Sequence, residues 1–308
     1  MSQGSGEIRL VARGDISDAK WDVLVSESNH IIFMSRWYLD EVMPDWTAIV
    51  LNDYEACLPI QISKKYHLDY ALQPLFIRAL SVLGDNQKAQ LLLKKLQEET
   101  SFFSVALDID VNDKHFMQEH SIHQLLPLNK DYELIYKKYS QNVKRSLRDF
   151  MKSEGELTDE LDPNLLIELF RSIKGKTFSH LNDEAYTRLK NLMLSAQTRK
   201  LSILRGVRLN GELVAICFFI RQDGKLLYLK GIVTSVGRGI GAMQAIFDSV
   251  IKENSSCSSS LDFGGSSNEG LALFNKKFGA IDRKYLILKY NGVSWPLRSL
   301  VNRKFGIK

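Results

Sequence analysis

Lys225-Leu-Leu-Tyr-Leu-Lys-Gly-Ile-Val233, followed by Thr234-Ser-Val-Gly-Arg-Gly-Ile-Gly-Ala-Met-Gln-Ala-Ile-Phe-Asp-Ser-Val-Ile251, is the stretch on which the fold turns. Its first nine residues are apolar enough, and short enough, to read as a strand. The remainder is glycine-rich and then places apolar residues at helical spacing. Glycines at 237, 239 and 241 remove side chains where the helix begins. Backbone N–H groups are then expected to stand bare at the positive end of the helix dipole, where they suit a pyrophosphate. A plain strand-to-helix connection is the competing reading.

Downstream, Ser260-Leu-Asp-Phe-Gly-Gly-Ser266 reads as a strand ending in a double glycine, residues 268–280 as a short helix closing on Phe278-Gly279, and residues 284–290 as a last strand. Upstream, residues 201–220 read as two strands around Asn210-Gly211, a strong hairpin signal. Residues 46–62 read the same way around Asn52-Asp53. The two hairpins echo one another, Leu51-Asn52 then Glu55-Ala56 against Leu209-Asn210 then Glu212 and Ala215, which suggests two domains of one architecture.

Helical patterns fill the intervals at residues 86–98 and 132–151, the second with a potential break at Ser140. Asp162-Pro163 and Asn182-Asp183 supply starts for two more helices. Residues 126–130, Leu-Pro-Leu-Asn-Lys, interrupt both periodicities, so the expected domains are 1–128 and 129–308.

At 308 residues, 44% hydrophobic and 25% charged, the chain has the composition of an ordinary globular protein with room for two cores. Three scattered cysteines, Cys57, Cys217 and Cys257, fit a reducing compartment better than a disulfide framework. No apolar run reaches membrane-spanning length, and residues 1–6 lack the marks of a secretory signal. A soluble, cytoplasmic protein is expected. The formal charge of +5 is modest, but six Lys or Arg between 137 and 152 face only Asp149 as an acid.

Gly237-Arg238-Gly239-Ile240-Gly241-Ala242 resembles the acyl-CoA pyrophosphate loop of the GNAT family, with Val236 standing where that pattern has Gln or Arg. The blocks Leu-Asp-Phe-Gly-Gly-Ser and Phe-Asn-Lys-Lys-Phe-Gly-Ala are more specifically similar to the FemABX-like branch, in which two GNAT folds occur in tandem. The helix around Lys144 and Arg145 is similar to the one that opens the second domain of such proteins. The resemblance implies an α/β (α+β) chain of two tandem GNAT-like domains, the N-terminal one degenerate, each a mixed, mostly antiparallel sheet flanked by helices. It implies an N-acyltransferase, with acyl-CoA (acetyl-CoA) as donor substrate and no metal. The acceptor would be a small-molecule or nucleotide-linked amine, such as an amino sugar or amino acid for the cell envelope. FemABX proteins use aminoacyl-tRNA instead, so tRNA is the alternative partner; a non-catalytic binding protein with a degenerate slot is the third reading.

On that fold Val236, Gly237, Arg238, Gly239, Ile240, Gly241 and Ala242 would bind the donor. An amine must lose a proton before it attacks, and Asp262 and Glu269 are the candidate bases, with Tyr285 as a donor to the leaving thiolate. Asp262 could equally cap a turn or pair with a lysine, and Tyr285 could be a core or rim residue. Tyr228 and Lys230, two apart on one strand, are expected to share a face toward the slot. His180 could reach an acceptor or simply be solvated. Lys144, Arg145 and Arg148 could hold phosphate groups, against the default of a solvated charged face. Arg303, Lys304 and Lys308 read as solvated tail.

Overall fold

A computed structural model of the chain describes residues 6–28, 31–109, 111, 113–174, 182–265 and 269–305. It is a mixed α/β protein of two compact units, Ile122–Arg283 and a discontinuous one made of Met1–Ser121 with Lys284–Lys308. These bounds differ from the expected cut after residue 128. The strand Ile281–Asn291 carries the chain back, and from Leu286 to Asn291 it pairs antiparallel with Phe102–Leu107 of the N-terminal segment. Pro127, read as an interruption, instead closes the strand Met117–Pro127 opposite Ser260. A residue with no N–H is tolerated where a ladder ends.

The discontinuous unit contains an antiparallel sheet in the order Ile8–Ala12, Thr47–Leu51, Ala56–Ile60, Leu83–Gly84. Its central hairpin is the one signalled at Asn52, whose φ of 51° is the left-handed value a short polar residue accepts. Both central strands are almost wholly buried, which accounts for their unbroken apolar runs. Ala89–Glu99 contributes Leu92, Leu93 and Leu96 to the core. Trp21 is fully buried and donates its indole N–H to the Met34 carbonyl at 2.9 Å. A second set of strands runs Ile62–Lys65, Leu68–Leu72, Phe102–Leu107 and the returning strand, with Leu68–Leu72 parallel to Phe102–Leu107.

In the Ile122–Arg283 unit the strand order is the end of Met117–Pro127, then Ser260–Asp262, Lys225–Val233, Glu212–Gln222, Ser202–Leu209 and Gly155–Thr158. All neighbours are antiparallel except Lys225–Val233 and Ser260–Asp262, which run parallel. Asn210 and Gly211 both have positive φ, as a two-residue hairpin turn demands. The helical stretch read over 132–151 is split into Tyr132–Lys137 and Gln141–Lys152, because the Ser140 hydroxyl accepts the Val143 N–H and restarts the helix. Asp162 accepts from the Asn164 N–H ahead of Pro163–Lys174, and Asn182 from the Ala185 N–H ahead of Asp183–Thr198. The helix Ala242–Asn254 packs on the sheet through Ala245, Ile246, Phe247, Val250 and Ile251. Phe247 is its hub, with the rings of Phe219, Tyr228, Phe263, Phe274 and Phe278 centred 5.0–5.7 Å away.

Candidate active site

The parallel ladder at the centre of the Ile122–Arg283 unit is short. Lys225 pairs with Ser260, Leu226 with Leu261 and Leu227 with Asp262, and there the register ends although Lys225–Val233 runs six residues further. Gly264 still approaches the Tyr228 carbonyl so closely that a Cβ would stand 2.8 Å from the oxygen, and its φ of 79° breaks the extended direction. Between the continuing strand and this glycine turn lies a cleft of about 430 Å³. Phe170, Met243, Phe263 and Leu271 supply apolar walls, and Lys174, Lys230, Arg238 and Asn275 the polar groups.

Lys230 is one of two strongly perturbed groups there. Its ammonium lies 4.1 Å from the centre of the Phe170 ring, and burial draws its pKa down from 10.5 to about 8. Tyr228, by contrast, has turned away from Lys230. The register with the neighbouring strand slips at Leu229, so that Phe218 opposes Lys230 while Phe219 opposes Tyr228. This bulge reverses one residue, so the two side chains leave the strand on opposite faces although both line the cleft. Tyr228 packs its ring on Phe219 and Phe247, and burial raises its hydroxyl pKa well above 10.

The glycine-rich segment departs from the bare cradle expected of it. Ser235–Gly239 is a short helix capped by Thr234. The Gly237 N–H donates to the Thr234 hydroxyl at 3.0 Å, that of Arg238 to the Thr234 carbonyl at 3.0 Å, and those of Ile240 and Gly241 to the Val236 and Arg238 carbonyls at 3.3 Å. Threonine competes for the amides and wins because it sits one residue before the turn, at the N-cap. Gly241 then takes the left-handed conformation with φ 76°, and the helix Ala242–Asn254 begins without a side-chain cap, which leaves its first-turn N–H groups as the donors suited to an anion. The three glycines differ in kind. A Cβ on Gly237 would stand 2.5 Å from the Val214 carbonyl oxygen and one on Gly241 2.5 Å from that of Ser146, whereas one on Gly239 would meet nothing within 4 Å.

Of the residues singled out in the sequence, Tyr228, Lys230 and Arg238 line one cleft. Val236 and Gly239 are exposed, Ile240 is half-buried, and Ala242 is buried at the start of the long helix. Asp262 is turned to structural partners: one carboxylate oxygen accepts the Gly264 N–H at 2.9 Å and lies 3.3 Å from His123 Nδ1. Glu269 is exposed at the first position of Glu269–Lys276. Neither is among the described residues lining the cleft. Tyr285 belongs to the other unit, beneath the Arg78 guanidinium at 5.9 Å. Lys144 donates to the Lys137 carbonyl at 3.3 Å, while Arg145 and Arg148 are exposed on the same helix, whose Ser146 carbonyl abuts Gly241. His180 lies outside the described residues. Sequence reading missed Phe170, Lys174 and Asn275 as cleft residues; Phe170 carried a signal only as part of a buried helix face, Asn275 only as a member of the Phe-Asn-Lys-Lys-Phe-Gly-Ala block, and Lys174 carried none.

No protein-family model matches the sequence, and no curated protein matches it. Solved structures do. FemX is 14% identical with a TM-score of 0.64, covering 96% of this chain and 99% of that one. L-PGS from Bacillus licheniformis is 13% identical with a TM-score of 0.56, covering 95% and 98%. A tandem GNAT protein from the clavulanic acid biosynthesis pathway is 10% identical with a TM-score of 0.52, covering 94% and 99%. At these identities the likeness is one of fold, and over nearly its whole length the chain has the GNAT-like fold that these proteins share.

Proposed function

We propose that this protein transfers an acyl or aminoacyl group from an activated donor to an amine, and that the transfer takes place in the cleft beside Lys230. The observation that carries the reading is the early end of the ladder between Lys225–Val233 and Ser260–Asp262, which opens an apolar slot for an extended donor beside a lysine. Proton removal from the acceptor amine needs a base whose pKa lies near the working pH. A lysine drawn to about 8 meets that requirement and replaces Asp262 and Glu269 in the role. Its neutral amine takes the proton as the acceptor nitrogen attacks the donor carbonyl, and when the C–S or C–O bond of the donor breaks, the resulting ammonium returns that proton to the departing thiolate or hydroxyl oxygen.

Acyl-CoA is the donor first suggested by the glycine-rich segment, with the first turn of Ala242–Asn254 and Arg238 facing its phosphates. A charged tRNA of the FemABX type is the second, and one observation favours it: the Gly237, Arg238, Ile240 and Gly241 amides are committed within the chain, while Arg145 and Arg148 remain exposed. Titration calorimetry with acetyl-CoA, longer acyl-CoAs and tRNA separates the two. Saturable acyl-CoA binding without tRNA binding identifies the first donor. Binding of tRNA that weakens steeply with salt identifies the second. If neither binds, the transferase reading fails.

A further inference from the structure

Residues 293–305 contain three cations, Arg298, Arg303 and Lys304, and no acid. Within them Leu297–Phe305 forms a helix held to the discontinuous unit by Val301, which is buried in one cluster with Val293 and Phe102. Leu297 and Leu300 are the neighbours of Val301 one turn and one residue before it, yet they look outward, 50% and 63% exposed. Trp295, two residues ahead of the helix, is 85% exposed. A helix lying on its own core would be expected to turn such side chains inward. Here three large apolar groups and three cations share one short surface segment, a combination that marks an interaction site.

A second element repeats the combination on the same cluster. Leu68, Tyr70 and Leu72 pack against this cluster of Phe102, Val293 and Val301. They belong to the hairpin Ile62–Lys65 and Leu68–Leu72, whose tip carries Tyr66, 85% exposed, beside the exposed Lys64 and Lys65. The hairpin's one acid, Asp69, is 3.6 Å from Lys64.

The charge selects the occupant. Two copies of this surface set face to face would bring cations against cations with no acid in the helix to offset them. An anionic bilayer surface accepts both components: Trp and Leu enter the boundary between headgroups and acyl chains while Arg and Lys stay among the headgroup phosphates. Nine residues are too few to span, and no helix among the described residues is long and apolar enough to cross a membrane, so the geometry is that of a helix lying at the interface. We propose that Trp295, Leu297 and Leu300, flanked by Arg303 and Lys304 and joined by the hairpin tip at Tyr66, dock the protein on the surface of an anionic lipid bilayer. This holds whether or not the cleft transfers acyl groups.

The full chain is titrated with vesicles of phosphatidylcholine alone and of equal parts phosphatidylcholine and phosphatidylglycerol, followed by sedimentation and by tryptophan emission. The expected result is co-sedimentation with the anionic vesicles, weakened by added salt, with a blue shift that disappears in Trp295→Phe, since Trp21 and Trp46 are fully buried already and the half-buried Trp37 is not part of the proposed surface. Arg303→Glu with Lys304→Glu should weaken partitioning by roughly tenfold or more, and Leu300→Glu should do the same. These side chains are exposed and Val301 is untouched, so circular dichroism should match the parent. Failure to sediment with anionic vesicles, or variants that bind as the parent does, overturns the proposal. So does self-association without lipid that Leu300→Glu abolishes in the ultracentrifuge, which would assign the surface to a second copy.

Discussion

At the scale of single residues, Lys230 is where function and stability pull apart. Its ammonium is costly to keep beside Phe170, and the penalty is full below about pH 8, where the folded protein must hold the charge. Between about 8 and the unfolded value near 10.5 the unfolded chain binds more protons, so stability rises with pH across that window. Lys230→Met is therefore expected to raise stability at pH 7 by roughly 1–3 kcal/mol in urea denaturation, and to lower the rate by about 10²–10⁴-fold. In the parent, the rate should climb through pH 8 as the neutral amine forms; a K230M profile with the same climb would remove Lys230 from the chemistry. The glycines make a second residue-scale test. Gly239→Ala puts a methyl into open space within a helix and should stabilise by about 0.5–1 kcal/mol. Gly241→Ala meets the Ser146 carbonyl in a left-handed conformation and should cost more than Gly239→Ala gains. Equal effects at the two positions in chemical denaturation would mean the turn is placed wrongly.

At the scale of elements, what was legible in the sequence was what local chemistry decides. Asn52 and Asn210-Gly211 marked their hairpins because positive φ is settled within the turn. Ser140, Asp162 and Asn182 marked helix starts because a cap is a contact across two or three residues. The Leu229 bulge was invisible, since it depends on Phe218 and Phe219 finding cores on two sides of a sheet. Met117–Pro127 was missed because its first four residues are exposed, three of them the polar Gln118, Glu119 and His120, and burial is confined to its second half. The cleft followed the same rule: the glycine turn was readable, but Phe170 and Asn275 reach it from distant elements. Between elements, the Tyr132 hydroxyl donates to Asp248 at 2.8 Å, tying Tyr132–Lys137 to Ala242–Asn254. Burial raises the Asp248 pKa, so this carboxylate weakens the fold as pH rises above its unfolded value near 3.8. Tyr132→Phe removes this donor while Tyr139 and Lys252 still face the carboxylate, and should cost about 0.5–1.5 kcal/mol at pH 7. Asp248→Asn keeps an oxygen for Tyr132 without the charge and should cost less; thermal denaturation giving the reverse order would show that the charge itself is needed.

At the scale of the whole molecule, contiguity in sequence and compactness in space part company. Residues 122–283 form one unit from a continuous segment, whereas the other unit is completed only when the chain returns at Lys284. The return strand supplies the antiparallel partner of Phe102–Leu107, from Leu286 opposite Leu107 to Asn291 opposite Phe102, and the segment beyond it supplies Val293 and Val301 to the cluster around Phe102. No pattern within residues 284–305 says which unit they complete, because strand pairing is chosen by partners about 180 residues away in sequence. A chain stopped after Arg283 should accordingly lose order in the segment that precedes the cleft-bearing unit. Hydrogen exchange should show the amides of Leu68–Leu72 and Phe102–Leu107 losing protection, while those of Ser202–Leu209 and Glu212–Gln222, which pair with each other, keep theirs. Donor binding by the cleft should survive the cut, since the described residues that line it lie between 170 and 275. Loss of protection in the Ser202–Gln222 hairpin, with the N-terminal strands unaffected, would show that the return strand belongs to the other unit.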